Sequence, residues 1–492
     1  MGIRRPSRFR ALATVPQTYP ANVAMASMIE MKSSSGQDKL QEVTEMLNML
    51  RADLTEMNLL PQQRNEALEK LKVHGRSVEN ADPIFTKEGI DTLCRHGFHS
   101  PSTTTSREAL RCLANALLLQ TETRQIFVDL GFSEKVCELL KSDNRDDEFL
   151  ASRILFLTTY GTNLDFEKLM RDSQLAETIN QNIARHSKRY PKSGRRASSI
   201  ASPMEDMALS ETLKLMFNIT NFYPDLAEMF SKSIAHIFKI LFRTRIPTPP
   251  LHPPVCYLVN ALMNLDLEGK KGSQPLAVNP VFPKFDQKLN AEHLIKILDM
   301  AITQYPEKEL DTVAAPVLVL IRRVYEFAPD TVKRYMQCLL LPTDEERNMP
   351  LGQSDTLSSR LLRLSTCPST PNLRESISAM FFEISGKDAS TFVKNVGYGF
   401  ASGFLMSHNI AVPENASDAF SSQTEGTPIN PITGQRLDAE AIETGPEMTE
   451  EEKEREAEKL FVLFERLKKT GVMNVRNPVE QAVQEGRFEE LD

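Results

Sequence analysis

The stretch Cys94-Arg-His96-Gly-Phe-His99 sets three side chains able to bind a metal within six residues. A structural zinc site needs four ligands at coherent spacing, and no second Cys/His pair stands nearby. The cluster therefore reads as a coincidence near a helix end. Gly397-Tyr-Gly399-Phe-Ala-Ser-Gly403 imitates a phosphate-binding turn. Its glycine spacing is one residue too long for the dinucleotide fingerprint, and no strand–helix–strand context surrounds it. Gly397 and Gly399 better suit a tight corner between helices, where a missing Cβ relieves steric limits. The chain carries no Gly-Lys-Ser/Thr phosphate loop, no Gly-x-Ser-x-Gly elbow, no His-Glu-x-x-His and no kinase signature set. These residues support neither covalent chemistry nor a cofactor. Any effect on a nucleotide would pass through a partner protein.

The elements that hold these residues are helical. From about Gly36 to about Leu405, apolar residues recur at the i, i+3, i+4, i+7 spacing of amphipathic helices, with no sustained strand alternation. The spacing predicts helices over 38–58, 107–119, 133–141, 147–160, 210–218, 254–263, 293–304, 315–327, 358–364 and 376–384. Three of them share a signature: an apolar residue, another three later, then Asn two beyond. Leu110/Leu113/Asn115, Leu213/Met216/Asn218 and Val259/Leu262/Asn264 fit it. Asn218 and Asn264 lie 46 residues apart, within the period of a HEAT or armadillo repeat. The fold class expected is an all-α, armadillo/HEAT-type superhelix, because each such unit completes its core only against its neighbours. Asn is a poor interior helix residue, so its recurrence needs a cause. Either each amide bonds a neighbouring loop inside the stack, or an amide ladder lines the concave face and grips a partner backbone.

Bulk properties narrow the function classes. The 492-residue chain is 41% hydrophobic and 25% charged, with a net charge of −8. That balance suits a folded protein and argues against a general nucleic-acid binder, which would show a basic footprint. No apolar run approaches the roughly 20 residues of a spanning helix. The six scattered cysteines read as reduced thiols, most of them buried. Residues 1–35, with Arg4, Arg5, Arg8 and Arg10, read as a disordered leader. The basic stretch at about 185–205 reads as a surface loop inside a 36–406 solenoid, and 407–446 as a flexible linker. Arg195-Arg196-Ala-Ser198 has the form basophilic kinases favour, and Ser422 with Glu425 is a minimal acidophilic site. The 447–492 segment opens with a Thr449/Glu452 capping box. Leu460, Phe461, Phe464 and Leu467 then form an apolar stripe that must bury itself against something.

Several segments resemble the synembryn family in order and spacing from about residue 40 to about 470. They include Ala109-Leu-Arg-Cys-Leu-Ala-Asn115, Ser152-Arg-Ile-Leu-Phe-Leu-Thr158 and Glu211-Thr-Leu-Lys-Leu-Met-Phe-Asn-Ile-Thr220. Lys394-Asn-Val-Gly-Tyr-Gly399 is similar to the family's glycine corner. Ile429-Asn-Pro-Ile-Thr-Gly434 followed by Pro446-Glu-Met-Thr-Glu-Glu-Glu-Lys453 is the most distinctive match. The resemblance implies a cytosolic, monomeric factor, reaching the cell cortex through its partner. It would bind heterotrimeric G-protein α subunits, assist their folding and promote GDP release. It implies that the Gα C-terminal helix enters the concave groove, where Asn115, Asn218 and Asn264 offer two-way amide bonds. Arg153, Arg322, Arg323, Arg360 and Arg363 would meet its carboxylate and carbonyl groups. The Leu460–Leu467 helix would support the loosened nucleotide domain. Ser417 to Thr427 holds few acids, unlike the acidic phosphorylation segment of animal members. A scaffold without exchange activity is the alternative. An import receptor is disfavoured, since Trp–Asn ladders grip its cargo and this chain has no Trp.

Overall fold

The computed structural model describes residues 36–189, 202–268, 270–271, 274–275, 279–411, 429–430 and 432–440, with scattered positions between 449 and 462. They fall in two compact units, one ending at Val332 and one beginning at Lys333.

The first unit holds helices α1 (Gly36–Glu56), α2 (Pro61–His74), α3 (Lys87–His99), α4 (Thr103–Leu119), α5 (Glu122–Asp129), α6 (Ser133–Leu140) and α7 (Arg145–Thr158). It continues through α8 (Phe166–Asp172), α9 (Leu175–Lys188), α10 (Pro203–Phe222), α11 (Ser233–Arg243), α12 (Val255–Asn264), α13 (Leu289–Gln304), α14 (Glu307–Val313) and α15 (Ala315–Phe327). A two-strand hairpin, Lys270–Lys271 against Gln274–Pro275, sits between α12 and α13. Local chemistry sets many starts. Ser102 accepts from Thr105 N at 3.3 Å, and Asn144 accepts from Asp146 N at 2.9 Å. Ser202 accepts from Glu205 N ahead of Pro203, whose ring suits a first helical turn.

Helices α4, α7, α10, α12 and α15 pack in succession, forming one continuous row. Leu110, Leu113, Ile154, Leu155, Leu213, Met216, Leu258, Leu262, Leu318 and Ile321 supply its core, all essentially inaccessible. This is the repeat architecture expected from the apolar spacing. Ion pairs stitch part of the row: Lys72–Glu108 at 2.5 Å, Arg111–Asp146 at 2.7 Å and Arg107–Asp147 at 2.7 Å link α2, α4 and α7.

The deepest polar junction joins α7, α9 and α10. Glu148 is fully buried, and its Oε1 accepts from His186 Nε2 at 2.9 Å and Thr212 Oγ1 at 3.1 Å. Its Oε2 accepts from Arg145 at 2.9 Å and Arg185 at 3.3 Å. The ends of the loop expected at about 185–205 are helical, while residues 190–201 lie outside the described residues. Arg185 to Lys188 complete α9, and Pro203 already opens α10. Arg185 and His186 belong to the fold because their carboxylate partner lies about 40 residues earlier in the chain.

The second unit contains α16 from Lys333 to its end (Asp330–Leu340 overall), α17 (Leu357–Leu364), α18 (Pro371–Ile384), α19 (Ala389–Val396) and α20 (Tyr398–Ser407). Gly397 turns the α19–α20 corner with φ +83°, as the glycine spacing anticipated. Against this corner lies the Asn430–Gly434 turn. Asn430 Oδ1 accepts from Ile432 N at 2.9 Å, and Gly434 N donates to Asn430 O at 2.8 Å. Leu351 N donates to Thr433 O at 3.0 Å, and Arg436 N donates to Arg347 O at 2.7 Å.

The leader, residues 190–201 with Ser198, most of the linker with Ser422, and Leu460, Phe464 and Leu467 lie outside the described residues. Cys94, Cys112 and Cys137 are buried as expected, but Cys338 is exposed; all six cysteines are free.

Glu148 dictates a stability profile. Burial pushes its carboxyl up, but the His186 hydrogen bond and the charges of His186, Arg185 and Arg145 outweigh that and hold it below the ordinary value of 4.5. Its stabilisation is complete above the unfolded value and is lost as pH falls through the lower folded one. Urea denaturation across a pH series should show stability falling below about pH 4.5, with Glu148→Gln flattening that fall. Glu148→Ala should cost about 3–5 kcal/mol at neutral pH, because it strands buried cations.

Candidate functional site

The row of helices brings six of the twelve partner-binding residues expected from the sequence onto consecutive members. Asn115 is on α4, Arg153 on α7, Asn218 on α10, Asn264 on α12, and Arg322 and Arg323 on α15. Between α7, α10 and α12 opens a shallow recess with room for about one water molecule, about 20 Å³, lined by Phe156, Leu213, Lys214, Phe217, Asn218, Tyr257 and Asn260. Aromatic faces extend beyond it. Phe156 meets Tyr160 edge-on at 5.5 Å, and Tyr160 meets Phe222 at 5.9 Å. Phe222 is 47% exposed, a large apolar ring left open to solvent.

One charged side chain, Lys214, lines the recess. Glu211 Oε1 accepts from Arg153 at 3.0 Å and from Lys214 at 2.5 Å, so one carboxylate serves two cations. The Lys214 ammonium lies 5.0 Å from the Phe156 ring centre and 5.4 Å from that of Tyr257. Such ring faces attract a cation electrostatically. Burial pushes the Lys214 pKa down, and the Glu211 carboxylate draws it back up.

The asparagines divide into two roles. Asn218 is 2% exposed, and its Nδ2 donates to Thr159 Oγ1 at 2.7 Å, tying α10 to the end of α7. Asn264 Nδ2 donates to the Phe217 carbonyl at 3.4 Å, a long bond back to α10. Both amides join neighbouring repeats, the first of the two explanations open in the sequence. Asn115 is half-buried and, among the described residues, has no hydrogen-bond partner for its amide. The same holds for Asn260, one helical turn before Asn264 and directly on the recess.

The arginines divide likewise. Arg153 pairs with Glu211 at 3.0 Å, and its guanidinium lies 5.8 Å from the centre of the Phe149 ring. Arg322 has no partner among the described residues. Arg323 caps the end of α12, donating to Met263 O and, at 2.8 Å, to Leu265 O. In the second unit Arg360 pairs with Asp355, and Arg363 donates to Gly352 O at 2.6 Å and Ser354 O at 2.8 Å. Phe461 is helical and 38% exposed. His96 Nε2 is engaged with Leu50 O at 2.9 Å, and no group of His, Cys, Asp and Glu among the described residues could hold a metal. Nor is any described helix long and apolar enough to cross a membrane.

Sequence reasoning missed Lys214, Phe156, Phe217, Tyr257 and Asn260. The signal lay in α10: a lysine, at Lys214, on the face that also carries Asn218.

These features define a helical-repeat protein with a small aromatic, cation-bearing recess between successive helices of its row. The family described as guanine nucleotide exchange factor synembryn matches residues 67–487, and this chain belongs to that family. It is 25% identical to the chaperone Ric-8A of Danio rerio over 514 aligned residues, covering 94% of this chain and 90% of that protein. The chaperone Ric-8A of Xenopus tropicalis is 25% identical, covering 88% and 86%. A synembryn-like chaperone of Schizosaccharomyces pombe is 27% identical over 299 residues. That match spans 57% of this chain and about half (55%) of the yeast protein.

The two kinds of asparagine are separable by thermal denaturation. Asn218→Ala should destabilise by about 1–3 kcal/mol, because the buried Thr159 contact is lost. Asn115→Ala should change stability by no more than about 0.5 kcal/mol.

Proposed function

We propose that this protein binds α subunits of heterotrimeric G proteins, chaperones their folding and promotes GDP release. The family match over residues 67–487 carries this reading, and the cleft supports it. The Gα C-terminal helix enters the cleft with its apolar face on Phe156, Phe217 and Tyr257. Lys214 and Arg153, sharing Glu211, receive its terminal carboxylate as charge-assisted hydrogen bonds. Asn115, Asn260 and Arg322 supply further donors to its carbonyls and side chains. Asn218, Asn264 and Arg323 hold the repeats at the spacing the helix needs.

Binding drives exchange only if it prefers one state of the partner. A Gα whose C-terminal helix is held in the cleft is drawn away from the arrangement that closes its nucleotide pocket. The nucleotide-free state is thereby favoured. The helix bearing Phe461, with the stripe Leu460, Phe464 and Leu467, makes a second contact on the loosened nucleotide domain. The protein works as a cytoplasmic monomer, performs no covalent chemistry and reaches the cell cortex through its partner.

Release of labelled GDP from a purified Gα subunit tests the reading. Acceleration with a stable nucleotide-free complex is expected, and no binding to any Gα of the same organism would refute it. Lys214→Ala should weaken a Gα C-terminal peptide roughly 10- to 100-fold by fluorescence anisotropy, as loss of a buried charged contact does. Truncation at about residue 445 should reduce exchange more than peptide affinity. Equal losses would eliminate the second contact.

A further inference from the structure

One short turn of the second unit carries two loads. In the 3-10 turn Glu346–Asn348, Arg347 and Asn348 hold the Asn430–Gly434 turn and the residues just after it. Arg347 is 6% exposed, and its guanidinium donates to Gly434 O at 3.0 Å and to Asn395 O at 2.9 Å. Arg347 O accepts from Arg436 N at 2.7 Å, and Asn348 O accepts from Gln435 Nε2 at 3.1 Å. Glu346, 8% exposed, serves the start of α17 instead. Its Oε2 accepts from Thr343 N at 2.8 Å, and its Oε1 accepts from the hydroxyls of Ser354, Thr356, Ser358 and Ser359. Burial pushes the Glu346 carboxyl up, but the hydrogen bonds from Ser358, Thr356 and Thr343 outweigh that and hold it below the ordinary value of 4.5. The group is therefore ionised at neutral pH. Of the four hydroxyl residues on it, Ser358 and Ser359 are buried and Thr356 is exposed, at the end of a non-helical run from Met349.

We propose that Thr356 is a phosphorylation site and that a phosphate there releases the Asn430–Gly434 turn from Arg347. The site does not depend on the Gα reading above. The Thr356 hydroxyl oxygen attacks the γ-phosphorus of a nucleoside triphosphate held by a protein kinase. The diphosphate leaves with the bridging oxygen, and the hydroxyl proton passes to the kinase's catalytic carboxylate. The product lacks the O–H that bonded Glu346 and carries a charge of about −1.5 to −2 at the same place. Its oxygens are strong acceptors for the Ser358 and Ser359 hydroxyls, and they meet the first turn of α17, where negative charge is favoured. Arg360 pairs with the neighbouring Asp355 at 3.6 Å, which places a cation beside the phosphate. Glu346 then loses its donors and is repelled by the group that takes them. One peptide bond separates it from Arg347, so its displacement shifts the Arg347 and Asn348 groups that hold the turn.

Hydrogen exchange at the Leu351 and Arg436 amides, which donate to Thr433 O and Arg347 O, reads the docking of the turn in the full-length chain. Thr356→Glu should speed both about 10- to 100-fold, the loss expected for hydrogen bonds to a charged group. Thr356→Gln, equal in size and uncharged, should leave both within about twofold of wild type. Combining Thr356→Glu with Glu346→Gln removes the repulsion and should bring exchange to within about twofold of Glu346→Gln alone. Protected amides in Thr356→Glu, equal acceleration in Thr356→Gln, or no recovery in the double variant would each overturn the proposal. Phosphopeptide mapping of the protein purified from its own cells tests the site itself. A phosphoryl group on Thr356 is expected, and a Thr356 found only unmodified overturns the assignment.

Discussion

A carboxylate with no access to water governs the geometry of the cleft. Glu148 gathers Arg145 from its own helix, Arg185 and His186 from α9, and Thr212 from α10. Burying that charge is costly unless each lone pair is satisfied, and here both oxygens accept two bonds. The consequence reaches along α10. Thr212 is held at Glu148, Glu211 beside it binds Arg153, and Lys214 and Asn218 follow on the same helix. Rotating α10 to reposition any one of these would break the bond at Thr212. A buried network of this kind fixes one arrangement where apolar packing alone would tolerate several.

The cleft itself combines cement and open valence. Amides and guanidiniums with partners in the neighbouring repeat, such as Asn218 and Arg323, keep successive helices in register. Groups of the same chemistry that have no such partners among the described residues are Asn115, Asn260 and Arg322. Residue type does not distinguish the two sets. What separates them is whether the preceding helix ends close enough to offer a carbonyl or hydroxyl.

That is also why the sequence disclosed the frame better than the site. Apolar spacing placed α7, α12 and α15 to within about two residues, and paired glycines marked the α19–α20 corner. The start of α10 was seven residues earlier than its apolar pattern suggested, because Pro203 and the acids behind it look like loop. Lys214 resembles any solvated lysine until Phe156 and Tyr257 close around it, and those rings come from helices some 40 to 60 residues away. Arg323, Arg360 and Arg363 bond backbone carbonyls, whose positions no residue letter records. The Asn430–Gly434 turn was visible as a motif, but its receptor at Arg347 lies more than 80 residues upstream and carries no period.

The joints along the row are unequally stiff. Between α7 and α10 stand the Glu148 junction, the Arg153–Glu211 pair and the 2.7 Å bond from Asn218. Between α10 and α12 stand the long 3.4 Å bond from Asn264 and the Lys214 ammonium 5.4 Å from the Tyr257 ring centre, with no buried carboxylate junction there among the described residues. In a stack whose stability is a sum of neighbouring interfaces, compliance concentrates at the softer joint. The cleft is bounded on one side by a rigid jaw, α7 with α10, and on the other by α12 on a looser mounting. A guest that displaced α12 would take Tyr257 with it, while Lys214 on α10 and Phe156 on α7 kept their places.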